Sequence, residues 1–197
     1  MTDHHSFNFT TLAYLATGNP RQQEVYRVLT ELRICTTLQA YHPLLVGTIP
    51  IDIDLPESDL DIICEVHDLQ AFQELVTHTY GQMELFRFHQ REVSGIMRFV
   101  ANFTYNGWAI EIFAQATPTM EQNGYRHMIV EHRILQMIGA EGKREIRELK
   151  QNGLKTEPAF AKWLNLDGDP YAALLAMYDW SDEKLRQLVA LRKQIAK

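Results

Sequence analysis

The sequence predicts an α/β (α+β) protein, a mixed sheet flanked by helices and followed by a C-terminal helical extension. Three observations carry this. Helix-like and strand-like runs intermingle up to about residue 117, Asn106-Gly107 forms a two-residue turn between two strand-like runs, and beyond Pro118 apolar residues recur at helical spacing. We therefore divide the chain into a sheet domain over 1–117 and a helical extension over 118–197.

Asn19-Pro20 supplies an N-cap and a proline at the first helical position, and Gln22 stands where a capping-box partner belongs. Val25, Val28, Leu29 and Leu32 then form an apolar helical stripe. Leu44-Leu45-Val46 reads as a short strand ending at Gly47-Thr48. Pro50 and Pro56 make 49–58 an irregular loop or hairpin. Residues 59–66 read as a mostly buried strand. Asp68 caps a helix over 69–79, with Leu69, Phe72 and Val76 on one face and Gly81 at its end. Strand-like runs follow over 84–89, 95–105 and 108–114. In the middle run Met97, Phe99, Ala101, Phe103 and Tyr105 alternate with Arg98, Val100, Asn102 and Thr104. A long helix carries Met128, Ile129, His132, Leu135 and Ile138, and further helices are expected over 143–151, 157–164, 170–178 and 182–195.

Of the 197 residues 46% are hydrophobic, enough for a real core, and no apolar run reaches 18 residues. The first residues lack a signal-peptide pattern, so a cytoplasmic location is expected, with Cys35 and Cys64 as buried free thiols. The net charge of −6 is unevenly spread. Residues 1–142 hold 17 acids against 8 arginines and no lysine, whereas 143–197 hold 11 basic residues against 8 acids. This balance argues against binding nucleic acid through a broad basic face. Nine acids and no basic residue lie between Arg33 and Arg87, a segment where a metal cation can supply the missing charge.

Within that segment, Asp59 and Asp61 stand two apart on an expected strand and so project from one face. Two neighbouring carboxylates repel, and a hard divalent cation resolves the conflict. Gly47 lets backbone approach a ligand closely, and Thr48 adds a hydroxyl for phosphate oxygens. Glu111 is the best third acid, because it interrupts the otherwise apolar strand Trp108-Ala-Ile-Glu-Ile-Phe-Ala114 and calls for a partner. That partner is either a shared metal or an arginine such as Arg98 on the neighbouring strand. Asp52 and Asp54 sit in the proline-flanked loop and are read as solvated. His127 and Glu131 have ligand spacing but read as a polar helix face. Lys143, Arg144, Arg147, Lys150 and Lys155 read as a solvated basic face, with Lys150 and Lys155 as weaker candidates for meeting a triphosphate or acceptor.

Three segments together, Val46-Gly47-Thr48, Ser58-Asp59-Leu60-Asp61-Ile62 and Ile110-Glu111-Ile112, resemble the motifs of the nucleotidyltransferase superfamily related to DNA polymerase beta. Thr48 stands where a second glycine or a serine is usual. The wider chain resembles a bacterial family of unknown function within that superfamily, through Gly47-Thr48-Ile-Pro50, Glu111-Ile-Phe113 with Gln115, Gln122-Asn-Gly-Tyr-Arg-His127 and Leu154-Lys-Thr-Glu-Pro-Ala-Phe160. The resemblance implies a nucleotidyltransferase fold and metal-dependent transfer of a nucleoside monophosphate, with ATP as donor, to an unidentified acceptor. Asp59, Asp61 and Glu111 would be the catalytic and metal-binding residues for Mg2+ or Mn2+, and Gly47, Thr48 and Ser58 would hold the triphosphate. The alternative is a non-catalytic nucleotide-binding or partner-binding protein of the same fold, regulatory or antitoxin-like, whose helical extension pairs in a homodimer or hetero-complex.

Overall fold

The computed structural model describes residues 8–195, and side chains through Arg192. It divides into two compact units. One comprises the described residues up to Pro50 together with Asp59–Thr119, and the other comprises Ile51–Ser58 and the chain from Met120.

The first unit begins with helices α1 (Ala13–Ala16), α2 (Pro20–Glu31) and α3 (Ile34–Thr37). The expected capping box is present at α2: Asn19 accepts from the Gln22 amide, and the Gln22 side chain accepts from the Asn19 amide. Its Nε2 group also donates to the Ile49 carbonyl at 2.9 Å, so one buried side chain caps a helix and secures the chain beyond the first strand. Strand β1 (Leu44–Val46), strand β2 (Leu60–Glu65) and helix α4 (Leu69–Tyr80) follow, then strands β3 (Glu84–Val93), β4 (Ile96–Tyr105) and β5 (Trp108–Gln115). Asp68 caps α4 by accepting from the Ala71 amide.

The strands form one mixed sheet in the order β1-β2-β5-β4-β3. Only β2 and β5 run parallel, the helix and hairpin between them forming the crossover. Asn106 and Gly107 both have positive φ, as the tight turn between β4 and β5 requires. Strand β3 runs four residues further than the expected 84–89, because Ser94-Gly95 makes a second turn with both φ positive and extends that hairpin.

Strand alternation sends Leu60, Ile62, Cys64, Phe99, Ala101, Phe103, Trp108, Ile110, Ile112 and Ala114 to one buried face, with Val25, Val28, Leu29 and Leu32 and with Phe72, Val76 and Tyr80 of α4. Tyr80 stacks on Phe103 at 5.2 Å, and Phe72 meets Phe99 edge-on at 5.4 Å. With that face given to the core, the intervening residues of β2, β4 and β5 are turned to the other side.

The second unit holds α5 (Asn123–Gln151), α6 (Thr156–Leu164), α7 (Pro170–Ala176) and α8 (Asp182–Ile195). Gly139, at φ 70° and ψ −166°, is non-helical, so α5 consists of two helices meeting at a kink, in keeping with the expected break before residue 143. Arg133 ties its neighbours together, donating to the carbonyls of Tyr178 and Trp180 and to the Asp182 carboxylate. No helix among the described residues is long and apolar enough to cross a membrane.

Candidate active site

Asp61 lies at the centre of a row that crosses the sheet. In β1 its register partner is Val46, and in β5 it is Glu111. The Asp61 and Glu111 backbones therefore stand one strand spacing apart, about 4.8 Å, with their side chains on the face opposite the core. Glu111 in turn lies opposite Asn102 of β4, whose Nδ2 donates to Glu111 Oε2 at 3.1 Å. Both acids are half-buried.

Gly47 completes the contour beside Asp61. Its φ of +84° is one that side-chain-bearing residues rarely adopt, and a β-carbon there would fall 2.6 Å from Asp61 Oδ2. Glycine is thus required twice over, by the turn and by the carboxylate. Thr48 follows in the same turn. Asp59 immediately precedes β2 and is exposed. Ser58 belongs to the other unit, where its Oγ accepts from the Leu55 amide at 2.9 Å.

Among the described residues, no three His, Cys, Asp or Glu side chains gather tightly enough to hold a metal ion on their own. The residues present still suit magnesium or manganese. Magnesium is ordinarily held by one or two carboxylates together with substrate phosphates and water rather than by an all-protein cage. The Asp61–Glu111 pair supplies two such carboxylates, and the Gly47 backbone lies against the Asp61 carboxylate.

Two details of this row lay outside the sequence reading. The neighbour of Glu111 is Asn102; Arg98 lies opposite Gln115, with its guanidinium 6.0 Å from the Phe113 ring. The signal for Asn102 was present in the alternation of 95–105, which places it opposite in direction to Phe99, Ala101 and Phe103.

The reading of the basic residues is corrected in the helical unit. Lys143 and Arg147 both hold the Asp52 carboxylate, and Lys150, nearly buried, donates to the Ile53 carbonyl at 2.6 Å. Asp52 is likewise paired, though partly open to solvent. These groups fasten the 51–58 loop to α5. Arg144 alone of the α5 set lies fully on the surface, near Glu141 and Glu148. Lys155 is exposed at the start of α6.

His127 and Glu131 are also no surface pair. His127 Nε2 donates to the Tyr171 carbonyl at 3.1 Å while Nδ1 meets Glu157 at 3.3 Å. Burial pushes the Glu131 carboxyl well above its ordinary range, with Glu157 adding to the shift and Lys150 opposing it. His132 is depressed to about 4, first by burial and then by Lys143. Cys35 and Cys64 are free thiols, as expected, with Cys64 buried and Cys35 partly so. Burial raises both above the ordinary thiol range.

Residues 27–177 match the family described as Domain of unknown function (DUF4269), and the chain belongs to that family. No curated protein sequence matches the chain. Among solved structures it is similar to the Cid1 poly(U) polymerase with MgGTP bound, at 12% identity and a TM-score of 0.51. It is also similar to a mutant of that polymerase bound to MgATP, at 12% and 0.52. In both cases 83% of this chain and 53% of the other is covered, so the chain spans about half the length of the polymerase. A third Cid1 structure, described for RNA terminal uridylyl transferase activity, matches at 10% identity and 0.51 over 83% and 52%. At such identities the likeness is one of fold, and the fold is that of the nucleotidyltransferases.

Proposed function

We propose that this member of the DUF4269 family is a metal-dependent nucleotidyltransferase. It moves a nucleoside monophosphate, AMP from ATP, to an acceptor hydroxyl, amine or phosphate, and pyrophosphate leaves. The observation that carries this reading is the register pairing of Asp61 with Glu111, with Gly47 backbone against the Asp61 carboxylate. Two half-buried acids turned away from the core, beside a turn that excludes any β-carbon, suit a bound cation and its phosphate oxygens better than they suit stability. The nucleotidyltransferase fold, and the MgGTP and MgATP named for two similar structures, support the same chemistry.

Magnesium or manganese bound here supplies positive charge to the triphosphate and to the leaving oxygen. Asp61 and Glu111 would hold it, with Asp59 alongside at the exposed start of β2. Glu111 also takes the acceptor proton, through the oxygen that Asn102 leaves free. The Gly47 backbone and the Thr48 hydroxyl orient the triphosphate.

The test is thermal unfolding with and without manganese and ATP, followed by pyrophosphate release when candidate acceptors are added. A rise in Tm that needs both ligands and disappears in an Asp59→Asn, Asp61→Asn double variant supports the reading. A rise without pyrophosphate release for any acceptor class favours a nucleotide-binding regulator, and no rise at all removes the proposal.

A further inference from the structure

The face that carries Asp61 and Glu111 also carries arginines. Strand β3 sets Arg87 opposite Asn102, His89 opposite Val100 and Arg91 opposite Arg98. Asn102 and Arg98 are themselves opposite Glu111 and Gln115 on β5. Strand alternation therefore places Arg87, His89, Arg91 and Arg98 on the side of the acids. Arg87, His89 and Arg91 are exposed. Residues 1–142 contain only eight arginines and no lysine, so three on one flank of one sheet face are not the by-product of a generally basic surface.

Arg91 and Arg98 form a directly opposed like-charge pair, an arrangement that destabilises a sheet unless something lies between the charges. Among the described residues no carboxylate reaches Arg87, Arg91 or Arg98; the ion pairs present involve other cations. Arg98 Nε is buried with no hydrogen-bond partner, and so is Oε1 of Gln115, directly across from it and more than nine-tenths buried. Turning that amide over would present its NH2 group to the same ligand. Two guanidinium groups and an amide in register along one row of the sheet suit a phosphate group, which guanidinium binds in bidentate fashion.

Building on the transferase reading above, we propose that Arg91 and Arg98, with Arg87 and His89 alongside, grip a phosphate of the acceptor. The acceptor is then a phosphate ester extended along the β4–β3 flank. Gln115 is four residues along β5 from Glu111, a separation of about 13 Å at about 3.4 Å per residue. That distance equals about four stacked nucleotides at about 3.4 Å each. A nucleoside monophosphate does not span it, whereas a short single strand does.

Fluorescence anisotropy with a labelled single-stranded RNA of about eight nucleotides, without metal or ATP, tests this directly. Arg91→Gln and Arg98→Gln should each weaken binding about tenfold and lower the salt slope by about one. Arg144→Gln, on the exposed face of α5, should change neither. Asp61→Asn should leave strand binding intact while removing stabilisation by manganese and ATP, so the two proposals can fail separately. Competition only by strands of about four or more nucleotides supports the extended acceptor, whereas competition by AMP at concentrations comparable to the strand overturns it. Arg91→Glu creates an opposite-charge pair with Arg98, and should abolish binding while holding Tm at or above that of the parent protein. Unchanged affinity in Arg91→Gln and Arg98→Gln, an equal loss in Arg144→Gln, or a fall in Tm for Arg91→Glu would each overturn the assignment.

Discussion

A β-carbon at residue 47 would lie 2.6 Å from Oδ2 of Asp61, so the bare backbone of Gly47 and that carboxylate share one space. Gly47→Ala meets a forbidding φ of +84° and this contact together. A cost of about 1–3 kcal/mol is expected, read as a lower Tm. The shift in Tm caused by manganese and ATP should shrink as well, since the displaced carboxylate is the one assigned to the cation. A variant with the parent Tm would mean that the turn relaxes.

Asn102 holds one oxygen of Glu111, and its replacement separates positioning from bulk. Asn102→Asp sets a carboxylate against Glu111 in place of a donor. At neutral pH the added negative charge should lower severalfold the manganese concentration needed for half-maximal stabilisation in the presence of ATP, and acidification toward the carboxylate range should narrow the gap. Asn102→Ala should give a smaller, pH-independent change. Manganese titrations of Tm at several pH values distinguish the two.

Asp52 has two cationic partners, Lys143 and Arg147. Asp52→Asn leaves both without their anion and is expected to cost about 1–2 kcal/mol, a figure reduced for partial solvent access. Urea unfolding should show a lower midpoint, and added salt should narrow the difference from the parent.

His132 supplies a pH signature. Its depression to about 4 means that the folded chain prefers the neutral ring. Its stabilising contribution is complete above the unfolded value of 6.5 and is lost as pH falls from 6.5 towards 4, because the unfolded state takes up the proton first. Thermal scans should therefore show stability falling through this window. His132→Gln should remove on the order of 1–2 kcal/mol of that slope. An unchanged slope would assign the acid limb to other groups.

Local signals were legible wherever a few neighbouring residues set the structure. Asn19, Pro20 and Gln22 define the start of α2 by hydrogen bonds three residues apart, and Asn106-Gly107 defines a hairpin by its two φ angles. The Gly-Thr turn, Asp61 and Glu111 could be picked out for similar reasons, since a charge inside an apolar strand is visible without coordinates. What brings Asp61 beside Glu111 is a parallel pairing across 50 residues, and no local pattern encodes that register. Distance in sequence also hid the partners of Asp52, which lie 91 and 95 residues away. Lys143, Arg147 and Lys150 looked solvated because a helical wheel shows charge but not the loop that comes to meet it. Glu131 escaped for the opposite reason: a carboxyl whose ionisation is disfavoured by burial obeys apolar spacing while reading as polar.

The excursion of Ile51–Ser58 into the helical unit has a practical consequence for anyone dividing the molecule. The polypeptide leaves the sheet unit at Pro50 and rejoins it at Asp59, immediately before the acids of β2. No single cut yields two intact fragments. A piece ending near Thr119 keeps the loop but loses the cations that fasten it, whereas a piece starting at Met120 exposes Lys143, Arg147 and Lys150 with no counterpart. Melting of the intact protein should accordingly follow one cooperative transition, and expression of either half alone should give material that scatters light and binds hydrophobic dyes.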